Sequence, residues 1–259
     1  MSVVVRPVNI EFPEQIDRYW FGNSPFKTHF LNSITLLFPD VEQYIIRNVR
    51  QWLKQTSQGE ISQDVRAFIA QEAQHAVQHK KFWNNLHQQG YEIAPYLRWL
   101  RVLLNMLEKR LSIRLNLAIV AGIEHLTALM AEFALKDNFL AEAQPQLKAL
   151  FEWHAAEEIE HQSVAYDVFQ SATQSYPLRL VGMIVAHILI LGFLNFGLAV
   201  MLYQDKQLFN AQVWQEIFQF WFTKDKFLAK AFLNSCDYCK KHFHPSQRDN
   251  LVLVQKLIS

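Results

Sequence analysis

The sequence predicts an all-α protein, a four-helix bundle followed by extra hydrophobic helices at the C-terminus. Three observations predict it. The 259 residues hold only 7 Gly and 8 Pro against 20 Phe and 7 Trp, a composition short of the turn residues that strand-rich folds need. Long stretches carry apolar residues at helical spacing. Two Glu-x-x-His pairs, Glu72–His75 and Glu158–His161, fall inside such stretches, and residues three apart on a helix share a face.

The elements follow in chain order. Val3 to Phe12 is short and β-branched, and reads as an extended leader. Pro39-Asp40 is a start signal for a first helix running to about Lys54. A second helix spans about Ser62 to Gln89 and stops at Gly90. Pro95 opens a long helical region reaching about Lys136, with a break near Ser112. The next helix covers about Gln146 to Thr173 and ends before Pro177. Residues 1–177 thus form the bundle, and 178–259 a hydrophobic and aromatic extension, packed on the bundle or membrane-associated.

The extension opens with Leu180 to Tyr203, free of Asp, Glu, Lys and Arg and carrying His187, Asn195 and three of the seven glycines. It is long enough to cross a bilayer. Trp214, Ile217, Phe218, Trp221 and Phe222 then form a helical stripe beside Lys224 and Lys226, a pattern of helices lying in a membrane interface. A buried bundle helix and a hydrophobic homodimer face are the alternatives. The net charge of +1 gives no electrostatic reason to expect nucleic acid. Two cysteines supply no disulfide framework, and residues 1–13 lack the charged start and apolar core of a signal peptide. A cytoplasmic protein is expected, at the inner face of a membrane if the apolar segment meets lipid.

Composition alone, 15 Glu and 10 His, supplies roughly 0.6 Glu-x-x-His pairs by chance, so two single glutamates decide the matter. Glu42 sits among Phe38, Ile45, Ile46 and Val49 on one helical face. Glu124 shares its face with Val120, Ala121, Thr127, Ala128 and Ala131. A carboxylate stranded on such a face must be paired, protonated or metal-bound. One glutamate from each of two helices and a Glu-x-x-His pair from each of two others make a dinuclear metal site at the core of a bundle. The expected ligands are therefore Glu42, Glu72, His75, Glu124, Glu158 and His161. His79 and His154 lie one turn from the two pairs, as further ligands or as supports behind them. Glu157 is an alternative to Glu158, and Thr127 lines the pocket. Cys236, Cys239, His242 and His244 are spaced too tightly for a zinc finger and are read as incidental.

The stretches Phe38-Pro39-Asp40-Val41-Glu42, Gln71-Glu72-Ala73-Gln74-His75, Glu124-His125-Leu126-Thr127 and Trp153-His154-Ala155-Ala156-Glu157-Glu158-Ile159-Glu160-His161 resemble the predicted metal-dependent hydrolases. Val164-Ala165-Tyr166-Asp167 and His242-Phe243-His244-Pro245 add to the likeness. The resemblance implies a ferritin-like bundle, bound metal and, by its label, hydrolysis.

Carboxylate-rich sites with one His per ion suit two iron ions, with manganese the alternative. Paired ferrous ions can reduce dioxygen, so the leading expectation is an O2-dependent oxidase or oxygenase acting on a hydrophobic, lipid-like substrate. The apolar 180–203 segment motivates that substrate. A dinuclear metal-dependent hydrolase is the alternative, and a non-enzymatic iron-binding protein the third.

Overall fold

The computed structural model describes residues 3–55, 63–248 and 250–258. The fold is all-α among the described residues. Its long helices are α1 (Pro25–Gln55), α2 (Gln63–Gln88), α3 (Ala94–Arg110), α4 (Ile113–Lys136), α5 (Pro145–Ala172) and α6 (Tyr176–Gln204). Shorter helices α7 (Ala211–Phe218), α8 (Phe227–Tyr238) and α9 (Leu251–Ile258) follow. Helices α1, α2, α4 and α5 form the bundle. Helix α6 packs along α1 and α4, and its Met183, Leu194 and Met201 join the same apolar core as Phe30 and Leu36 of α1.

Helix α1 begins 15 residues before the expected start, so Pro39 lies inside it. Burial of Phe26, Phe30, Leu31 and Ile34 drives the extension, since packing of an apolar face outweighs local propensity. Proline removes the amide that would bond the carbonyl four residues back. That carbonyl, of Thr35, accepts instead from Trp83 Nε1 at 3.1 Å.

The other boundaries follow local chemistry. Gly90, at φ 86°, ends α2; the amides of Gly90 and Tyr91 bond the carbonyls of His87 and Leu86, a Schellman closure that the glycine permits. The expected start of α2 at Ser62 lies outside the described residues. Ser112 breaks the third helical region as its spacing predicts, capping α4 by accepting from the amide of Leu115.

The leader is extended and lies along α2. Gln71, Gln78 and Asn85, seven residues apart on one face, donate to the carbonyls of Val4, Val8 and Pro13 at 3.1, 2.7 and 3.1 Å. Arg6 reaches over to α5 and pairs through both terminal nitrogens with Glu160 at 3.0 and 2.7 Å.

Where α4 and α6 cross, a Cβ on Gly182 would strike the backbone of Ala118. The glycine is therefore a contact point between helices. Both α4 and α6 are long and apolar enough to cross a membrane, yet 78% of the most apolar window of α4 is buried in the protein, against 39% for α6.

The aromatic stripe of residues 214–222 does not form one continuous face. A π-helical turn, Gln219–Thr223, follows α7 and rotates the chain. Phe220, outside the expected stripe, is buried against Phe26, Phe30 and Phe227. Trp221 is buried with it, while Trp214, Phe218 and Phe222 stay exposed.

Candidate metal centre

Each bundle helix contributes what its sequence offered: Glu42 from α1, Glu72 and His75 from α2, Glu124 from α4, Glu158 and His161 from α5. All six are buried. One ligand atom from each of Glu72, His75, Glu158 and His161 lies within 4.8 Å of the others. Glu42, His75 and His154 make a second such group. Glu124 Oε2 stands 3.7 Å from His161 Nδ1, so the fourth carboxylate meets the same space.

Both histidines of the pairs present Nδ1 inward, because their outer nitrogens are held. His75 Nε2 donates to Glu157 Oε2 at 3.1 Å, and His161 Nε2 donates to Gln71 Oε1 at 2.9 Å. Fixing the N–H on one nitrogen leaves a lone pair on the other. Glu157 thus stands behind His75, with Arg6 at 3.6 Å from its other oxygen. His154 is inside: its Nε2 is 3.0 Å from Glu158 Oε1. Behind it, His154 Nδ1 faces His79 Nε2 at 2.9 Å, and His79 Nδ1 faces Thr35 Oγ1 at 3.2 Å. Thr127 donates to the carbonyl of Glu124 at 3.2 Å.

Aromatic rings close the sides. Phe38 stacks on His154 at 4.6 Å, and Phe68 meets His161 edge-on at 4.9 Å. In this dry setting, burial and the neighbouring carboxylates push Glu42, Glu72 and Glu124 well above the usual carboxylate range. Burial opposes ionisation of Glu158 too, but the His154 hydrogen bond and the His154 and His161 rings bring it below that range. Burial and adjacent imidazoles hold His75 and His79 neutral. Glu157 is raised by burial to about 6.

The donor set fits bound metal. Both oxygens of Glu42, Glu72 Oε2, Glu124 Oε2, Glu158 Oε2 and Nδ1 of His75 are buried with no hydrogen-bond partner, and Glu72 Oε1 and His161 Nδ1 face each other at 2.7 Å. Groups of that kind are costly to bury unless something charged takes their lone pairs. Cys236 and Cys239 are exposed free thiols, and His244 pairs with Asp167 at 2.9 Å; these residues belong to no such group among the described residues.

Gln71 and Arg6 were not among the candidates. Gln71 carried a signal, being a polar residue beside Glu72 on a helix flank; Arg6 carried none, since its partner is 154 residues away.

Fold and site together define a helical-bundle protein with a buried carboxylate–imidazole cluster that could hold metal ions. The family model described as predicted metal-dependent hydrolase matches residues 4–249, and the chain belongs to that family. No curated protein and no solved structure matches it.

Proposed function

We propose that this protein is a dinuclear metal-dependent hydrolase. The observation that carries the reading is the convergence of four buried carboxylates and three imidazoles whose inward atoms face one another. Two divalent cations would balance four carboxylates, and the two ligand groups share His75, as expected of neighbouring ions. Glu72, Glu158, His75, His161 and Glu124 would hold one side of the pair; Glu42 and His154 would complete the other. Bound divalent ions supply Lewis acidity and an acidified water. The chain itself excludes bulk solvent with Phe38 and Phe68 and fixes Nδ1 of both paired histidines. Behind His154, His79 and Thr35 form a hydrogen-bonded line that would fix the orientation of its ring.

Oxidation by a di-iron centre is the second reading, favoured by the carboxylate-rich donor set. Iron is the first choice of metal there, and manganese the alternative. The family description ranks hydrolysis above it. Metal-loaded protein should cleave carboxylic and phosphoric esters in anaerobic buffer, with loss on chelation. Ester turnover absent from fully loaded protein, together with substrate-dependent O2 uptake by the ferrous form, would reverse the order.

We also infer contact with a membrane surface rather than passage through it. Helix α6 is flanked along its length by α1 and α4, so it cannot enter a bilayer alone. With α3 it leaves an exposed face of Trp99, Val102, Met106, Ile184 and Ile188. Arg98 lies four residues before Val102, and Lys109 and Arg110 lie three and four after Met106; all three are exposed. An apolar stripe bracketed by cations complements anionic lipid.

A further inference from the structure

Two spaces beside the candidate centre bear on what it acts upon. A cavity of about 60 Å3 ends on Glu158 and His154 and is otherwise lined almost wholly by hydrocarbon, including Ile34, Phe38, Phe151 and Phe139. Small side chains create it: Thr127, Ala131 and Ala134 follow one another on one face of α4, and Ala155 faces them from α5. A wider groove of about 230 Å3 runs between α4, α6 and α8, with Ile190 and Leu191 on its floor and Lys136, Lys230 and His187 at its edge.

Met130, Phe133 and Phe227 line both spaces and form the partition between them. Met130 and Phe133 are only half-buried, and a methionine adapts its shape readily. Phe227 is the first residue of α8, directly after Lys226 at φ 51° and the π-helical turn. The partition therefore rests on a flexible side chain and on the irregular start of a short helix.

We propose that cavity and groove form one tunnel for a linear apolar chain, opened by displacement of Met130, Phe133 and Phe227. The reacting end of the substrate lies at Glu158 and His154, and its tail runs back past Ala131 into the groove. The proposal rests on the metal-centre reading for what happens at that end, and on the tunnel alone for the chain. The inner cavity is lined almost wholly by hydrocarbon, and the polar groups Glu132, Lys136, Asp137 and Lys230 line only the outer groove, so a branched sugar or a phosphate-rich ligand would lose its hydration without compensation in the inner part. The expected class is a straight aliphatic chain bearing a hydrolysable head.

Calorimetric titration with 1-decanol, a neutral linear probe, tests this on metal-loaded and on chelated protein, with 1-adamantanol as the bulky control. Decanol should bind both forms and adamantanol neither. Ala131→Phe should weaken decanol binding at least tenfold at unchanged metal content by elemental analysis. If that variant fails to fold, Ala155→Val narrows the opposite wall. Broadening of the Met130 methyl resonance by spin-labelled decanol in the unaltered protein locates the chain independently.

Absence of decanol binding, or binding untouched in folded wall variants, overturns the tunnel and leaves the metal centre standing. Decanol bound by protein that takes up no metal supports the tunnel and removes the metal reading.

Discussion

Gln71 accepts a hydrogen bond from His161 Nε2 at 2.9 Å, while its amide nitrogen donates to the carbonyl of Val4 at 3.1 Å. One side chain thus sets the tautomer of a candidate ligand and fastens the leader. Gln71→Leu should remove both restraints and lower metal affinity about 10–100-fold, the usual cost of losing such a support. Gln71→Glu keeps the acceptor and should recover much of the loss. Competition titration with a chromophoric chelator measures both.

Glu124 supplies the carboxylate of α4, and its Oε2 has no hydrogen-bond partner. Glu124→Ala should lower the metal content per chain with the helical signal unchanged. Full retention of metal in elemental analysis would remove Glu124 from the centre.

His125, next in sequence, points away from the centre and packs against Tyr238 and Phe243. Burial and then Arg248 lower it to about 3 from its ordinary 6.5. The unfolded chain therefore takes up a proton near 6.5 that the folded chain refuses until about 3. This residue's contribution is whole above pH 6.5 and is lost as pH falls through that window, at up to about 1.4 kcal/mol per pH unit. His125→Leu should flatten the acid side of the stability curve, read from urea midpoints between pH 7 and 4.5.

Gly182 lets α6 approach α4 where any Cβ would strike Ala118. Gly182→Ala should destabilise by about 1–3 kcal/mol, lowering Tm by roughly 2–4 °C per kcal/mol in a chain of this size. Gly192, where a Cβ meets nothing within 4 Å, is the control: alanine there should be neutral or mildly stabilising by its helix propensity.

The exposed α3–α6 face should carry the protein down with phosphatidylserine-containing vesicles and release it as salt rises. Lys109→Glu/Arg110→Glu should abolish sedimentation, as should Trp99→Ser/Ile188→Ser. Equal recovery of these variants with vesicles would count against a lipid-facing role.

The ligand helices were legible because a three-residue spacing maps onto one helical face without further information. Glu42 and Glu124 showed themselves by the apolar neighbours that make an unpaired carboxylate costly. The start of α1 was not legible, since the donor that compensates Pro39 is Trp83, on another helix. The π-helical turn was hidden because Phe218 to Phe222 fit an α-helical stripe equally well. His154 could be placed near the centre by spacing, but choosing it over His79 needed the ring orientations. The leader's course depended on amides at 71, 78 and 85, whose regular spacing marks a face without saying what lies on it.

The lacing of the leader also fixes an order of events during synthesis. Residues 4–13 precede every one of their partners in the chain: their fastenings on α2 extend to Asn85, and the Arg6 partner Glu160 comes 154 residues later. The chain's opening segment must wait, unpaired, until most of the bundle exists.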